Sequence, residues 1–165
     1  INELEKTKHI IDSNNLNHSN TSLQLAKWIT KLPIIYYPNG LQSAAIRFKN
    51  SLQENAKIHV ITEEIIESCH NGIVAWDRPS LEVKPVLLRG KGDYIETKKR
   101  WNILKEFFDE KNIEYFEIAS VEGNILSKIV NLIYILDYAS IYHSMLNGID
   151  PTPVDAIDFI KNKLQ

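Results

Sequence analysis

The chain has 165 residues, 44% hydrophobic and 24% charged. That is the size and balance of one globular domain, and it excludes a disordered tail, a collagen-like fibre and a low-complexity linker. With 19 Lys+Arg against 21 Asp+Glu the net charge is −2, so the basic footprint of a generic nucleic-acid binder is missing. The single cysteine, Cys69, excludes a disulfide scaffold and a thiolate zinc site. No apolar run reads as long enough to cross a bilayer, and the polar opening INELEKTKHI is not a signal peptide. A reducing, cytoplasmic setting is the resulting expectation. The chain opens at Ile1 rather than Met, so a piece of a longer protein is also expected.

Residues 2–31 read as two helices separated by the turn-forming stretch SNNLNHSN at 13–20. Residues 33–37 (PIIYY), stopped by Pro38-Asn39-Gly40, read as a buried strand. Leu41, Ala44, Ala45, Phe48 and Leu52 then recur at helical spacing up to about Asn55. Residues 57–62 (KIHVIT), 84–89 (KPVLLR) and 113–118 (IEYFEI) read as three further strands. Asp93, with Glu96 three residues on, is placed to cap a helix whose inner stripe is Trp101, Leu104 and Phe108. Residues 121–147 read as a helix, apolar nearly all round at 129–136 and ended by Gly148. Such a helix is buried by the core or by a second subunit. A last helix is expected from Pro153 to about Leu164, with Thr152 as N-cap and Val154, Ile157, Ile160 and Leu164 as its buried face. Alternating strands and helices imply right-handed βαβ units, hence an α/β fold. We expect a three-layer αβα sandwich on a flavodoxin-like parallel sheet of four or five strands, in one domain over 1–165.

Ligands of open α/β sheets bind beyond the carboxyl ends of the strands, so the chemistry is sought there. The turn Pro38-Asn39-Gly40-Leu41 carries neither the dinucleotide fingerprint nor a phosphate loop. Glu54 falls in the last turn of its helix, where the macrodipole opposes an anion. That field suits a general base, and an ordinary solvent-facing Glu has the same pattern. Arg47, seven residues earlier on the same wheel position, is too far along the axis to pair with it. Glu67, His70, Asn71 and Trp76 cluster within ten positions, and Glu67 with His70 makes only a weak metal signal. Lys161 projects within an apolar stripe, where a lysine either snorkels or points its amine into a site.

Together these residues resemble a known family. Arg47-Phe48-Lys49 followed by Glu54-Asn55-Ala56-Lys57 is similar to a run in bifunctional phosphoglucose/phosphomannose isomerases. Glu67-x-x-His70-Asn71 with Trp76 resembles a second segment of that family. Gly148-x-Asp150-Pro151-x-Pro153, continued by Ile157-Asp158 and Lys161, resembles its closing segment. The resemblance runs from about Leu32 to the end. It implies a SIS (sugar isomerase) fold and interconversion of an aldose 6-phosphate with fructose 6-phosphate, without metal or other cofactor. It also implies the C-terminal one of two tandem SIS domains, in a protein that pairs as a homodimer.

By that resemblance Glu54 is the base that moves a proton between C1 and C2 through a cis-enediol. His70 helps open the sugar ring in the neighbouring subunit, and Lys161 assists ring opening. Arg47, Asn71 and Thr152 are substrate-binding candidates, Thr152 as the residue that leaves room for the mannose epimer. Cys69 and Gly72 depart from the residues the family often has beside the histidine. The phosphate-binding Ser/Thr-rich loops and the arginine that supports the enediolate lie in the first SIS domain, so the isolated chain is expected to be inactive or nearly so. Two other readings stand beside this one. One is a regulatory SIS module that binds a sugar phosphate without turnover; the other is a dimerisation domain built on the apolar helix at 129–136. The isomerase reading requires Glu54 to face a hollow at the carboxyl edge of the sheet.

Overall fold

Side-chain alternation along strand β1 (Leu32–Tyr37) sets up the layers. Ile35 and Tyr37 face one cluster of apolar side chains and Tyr36 faces another. Strand β3 (Val83–Arg89) repeats the pattern, with Val86 and Leu88 on the first side and Leu87 on the second. A central strand apolar on both faces must be covered on both, and it is. The computed structural model describes residues 2–78 and 82–164. Strands β2 (Ile61–Glu64) and β4 (Phe116–Ala119) complete a four-stranded, wholly parallel sheet in the order β2-β1-β3-β4. That is the flavodoxin-like order.

Helices α1 (Asn2–Ile11), α2 (Thr21–Trp28), α3 (Gln42–Asn55) and α6 (Ile125–Leu146) gather on the side of Ile35. The short helix α4 (Ile65–Ser68) and α5 (Ile95–Glu110) lie on the side of Tyr36, where Trp101, Leu104 and Phe108 form the expected inner stripe. The result is the three-layer α/β sandwich. Asn20 caps α2 by accepting from Leu23 N, and Asn124 caps α6 by accepting from Ser127 N. Gly148 ends α6 at φ +67°, a conformation that glycine adopts without steric cost.

Helix α6 corrects one expectation. Its 22 residues, with mean hydropathy 1.3, do reach the length and apolarity of a membrane span. Its partners show a core helix instead. Buried Asn131 donates to Thr7 Oγ1 at 3.0 Å and accepts from Val121 N at 3.1 Å. Ser22 Oγ donates to the Ile135 carbonyl, and His143 Nδ1 donates to the Ala26 carbonyl at 3.0 Å. Leu132, Ile135, Leu136 and Ala139 are buried within the chain. Of the apolar centre at 129–136, Leu132, Ile135 and Leu136 are buried in the domain's own core, while Val130 stays exposed.

Other differences have local causes. The second strand begins at Ile61, not Lys57, because Lys57 takes a left-handed φ of 57° that cannot continue an extended chain. The fourth begins at Phe116 after Asn112, another left-handed residue at φ 54°, turns the chain out of α5. Asp93 does not cap α5. Its Oδ2 accepts from Gly90 N at 3.0 Å, closing the turn after β3 instead. Thr152 is not an N-cap either, since the last helix, α7, starts later (Asp155–Leu164). The backbone N–H of Thr152 donates to Asp150 Oδ1 at 2.9 Å. The apolar stripe of α7 is uncovered, with no residue of the helix buried and Ile160 56% exposed.

The two kinds of apolar residue differ in their worth. Phe108→Ala, fully buried, is expected to cost about 3–5 kcal/mol of unfolding free energy. Ile160→Ala is expected to stay within about 0.5 kcal/mol. Urea denaturation of the two variants checks the contrast.

Candidate active site

Helix α3 follows β1 and runs back alongside the sheet, so its last turn arrives at the edge where the strands begin. Glu54 is exposed there and lines a hollow of about 260 Å³ with Gln53, Lys57 and residues 153–157. Lys57 also lines a larger neighbouring hollow of about 740 Å³, together with Thr30, Lys31 and Leu32 at the entry to β1 and His59 on the approach to β2. The expectation that Glu54 faces the carboxyl edge is thus corrected: it faces a hollow at the amino edge. The reason is the antiparallel course of a helix that connects two parallel strands. Among the described residues the Glu54 carboxylate has no hydrogen-bond or ion-pair partner.

His70 sits at the other edge. Strand β2 ends in Glu64, whose carboxylate caps α4 by accepting from Ile66 N and Glu67 N. The turn that follows carries His70, whose N–H donates to the Glu67 carbonyl at 2.9 Å. Its ring is exposed and makes no hydrogen bond among the described residues. Asn71 Nδ2 donates to Glu67 Oε1 at 2.8 Å, which stiffens the turn. Beneath it, Trp76 Nε1 donates to Tyr36 OH at 2.8 Å, so this segment is pinned to the core. Glu63 lies beside the same turn. Its Oε2 is buried without a partner, and it stands only 2.3 Å from where a Cβ on Gly72 would sit, so the departure at Gly72 makes room for it. Burial pushes the Cys69 thiol up, away from thiolate chemistry. Among the described residues no three His, Cys, Asp or Glu side chains are grouped to hold a metal ion.

Glu54 and His70 are therefore not brought together within the chain, while Glu54 and the start of α7 are. Lys161 lies exposed on α7, about one turn beyond Ile157, the last residue that shares a hollow with Glu54. Thr152 is exposed in the bend that precedes this helix. Arg47 is held in an ion pair. Its Nε and Nη2 donate to both oxygens of Asp137 on α6, at 3.1 and 2.9 Å, and Ser51 Oγ donates to the same carboxylate. A guanidinium held in this bidentate way joins α3 to α6. Sequence reasoning missed Glu63 and took Lys57 for the first residue of a strand. A cation three residues past Glu54, at a helix end, was the available signal.

Solved structures that share this architecture include a glucose-6-phosphate isomerase like protein from Thermus thermophilus, with TM-score 0.70 and 18% identity over 91% of this chain and 50% of that one. A putative sugar-phosphate isomerase from Listeria monocytogenes matches at TM-score 0.63 and 9% identity over 88% and 87%. These likenesses, both under 25% identity, show a shared three-layer α/β fold. The bifunctional phosphoglucose/phosphomannose isomerase of Caldicellulosiruptor bescii is 34% identical over 148 residues, 86% of this chain and 43% of that protein. The protein of the same name from Aquifex aeolicus is 26% identical over 136 residues, 81% and 42%. The family model for the bacterial phospho-glucose isomerase C-terminal SIS domain matches residues 18–164, and the chain belongs to that family. It spans less than half the length of these two relatives.

Burial also raises the Glu63 carboxyl above its ordinary value of 4.5. The folded state then holds that proton more tightly than the unfolded chain does. The associated stability is complete below about pH 4.5 and is lost as pH rises through the folded-state value. Glu63→Gln, a mimic of the protonated group, is expected to gain stability relative to the parent at about pH 7 and to lose that advantage at about pH 4. Urea midpoints at the two pH values check it; an offset independent of pH contradicts it.

Proposed function

We propose that this domain supplies one half of the site of an aldose–ketose isomerase that interconverts glucose 6-phosphate, and mannose 6-phosphate, with fructose 6-phosphate. The observation that carries the reading is Glu54, a carboxylate with no partner among the described residues beside a hollow, in a chain 34% identical to a protein of that name. That hollow lies at the amino edge, so the requirement of a carboxyl-edge hollow is not met by this chain's own sheet, and in this reading another surface must supply it. In this reading the Glu54 carboxylate takes the proton from C2 of the open aldose and returns it to C1 through a cis-enediol. Lys161 assists ring opening. His70, at the opposite edge, performs the same task in the site of a neighbouring subunit. Asn71 and Thr152 contribute contacts to the sugar.

In this reading Arg47 serves mainly to hold α3 against α6 through Asp137. Stabilisation of the enediolate oxygen is usually the larger share of such a rate enhancement. It falls, with phosphate anchoring, to a second SIS domain of the same protein. A cytoplasmic setting in sugar metabolism and a homodimeric state belong to the same proposal.

In the full-length protein Glu54→Gln is expected to lower kcat by about 10²–10⁴, the usual worth of a positioned proton-transfer group, with KM little changed. Steady-state kinetics with glucose 6-phosphate read it out. A parent protein that binds the sugar phosphate but shows no turnover to lose is instead the regulatory module.

A further inference from the structure

Lys57 holds an uncommon backbone conformation for a reason visible at its other end. It is the second residue past α3, at φ 57°, where glycine or asparagine is the usual choice and another residue is strained. Its ammonium meets three carbonyl oxygens: Glu54 O at 2.5 Å, Pro153 O at 2.6 Å and Pro151 O at 3.4 Å. The first belongs to the final turn of α3, whose carbonyls lack helical partners and favour a cation. The other two belong to the bend before α7. Pro151 and Pro153 have no N–H, so this stretch supplies few donors of its own. Asp150, one residue upstream, is held below its ordinary range by the Thr152 N–H and side chain, with the Lys57 charge adding to them.

Little else fastens that segment. Helix α7 buries no side chain, so apolar adhesion does not fix where it lies. We propose that Lys57 is a positioning residue for the isomerase site: its ammonium ties the helix end that carries Glu54 to the bend that launches the helix carrying Lys161. The proposal rests on the functional reading of those two residues. Lys57 acts through them, by setting the place of one element against the other. A displacement of an ångström at a reacting centre is enough to reduce rate about 100-fold, so a tether of this kind matters to kcat more than to binding.

The test uses the full-length protein and two variants. Lys57→Asn keeps a side chain at ease in the left-handed conformation and removes the ammonium; Lys57→Arg keeps a cation. In Lys57→Asn, amide hydrogen exchange over residues 150–160 is expected to quicken about 10-fold while the amides of β1 and β3 hold their rates. Turnover is expected to fall by about 10-fold with KM within about 2-fold, and Lys57→Arg to restore most of both. Unchanged exchange at 150–160, or faster exchange spread evenly over the sheet, overturns the proposal. Glu54→Gln measured alongside separates two failures. Full turnover there removes Glu54 as the proton-transfer base, and the positioning role of Lys57 with it. An inactive Glu54→Gln beside an undisturbed Lys57→Asn overturns the role of Lys57 alone.

Discussion

A helix that links two parallel strands has to carry the chain back to the edge where the next strand starts. That constraint governs this domain. Helix α3, 14 residues and about 21 Å long, delivers Glu54 to the amino edge of the sheet, and β2 then returns the chain to the carboxyl edge, where His70 turns out into solvent. Sixteen residues apart in sequence, the two side chains are separated by the depth of the sheet. No rotamer change brings them into one site. If both serve isomerisation, they serve different copies of the site, and each must be completed by another surface.

The distribution of buried area fits that arrangement. The sheet is covered on both faces, and α6 directs one side, with Leu132, Ile135, Leu136 and Ala139, into the domain. The functional candidates are among what is left open. The stripe of α7, the Glu54 carboxylate, the His70 ring and the Lys161 ammonium are all exposed. Groups that must meet a substrate and a second surface come from the less strongly held parts of a fold, and α7 is such a part. Its connection to the rest runs through hydrogen bonds to Lys57 more than through packing.

Most of the architecture was legible in hydrophobic periodicity. The apolar run at 33–37 bounded by Pro38-Asn39-Gly40, and the stripe of Ala44, Phe48 and Leu52, sufficed to place β1 and α3. What periodicity does not contain is backbone handedness. Lys57 and Asn112 are left-handed, and both strand starts that follow them were misplaced for that reason. Side chains with two possible partners were misread in the same way: Asp93 and Thr152 look like helix caps, and each belongs to a tighter local turn. The pattern of α7 shows that one face is apolar but not what covers it. Arg47 found its partner 90 residues away in Asp137, a pairing no local pattern records. Of the candidate site, residue types and order were legible, while the edge of the sheet on which each stands required the topology.

The claim that Glu54 and His70 belong to sites in different subunits has a direct measurement. Full-length chains carrying only Glu54→Gln, or only His70→Ala, are each prepared in inactive form, mixed, unfolded and refolded together. A hybrid pair then holds one site with both groups damaged and one with both intact. The account predicts that activity returns to about a quarter of the parent level, the statistical share of intact sites in a random mixture of dimers. A mixture that stays inactive, although hybrids have formed, contradicts it.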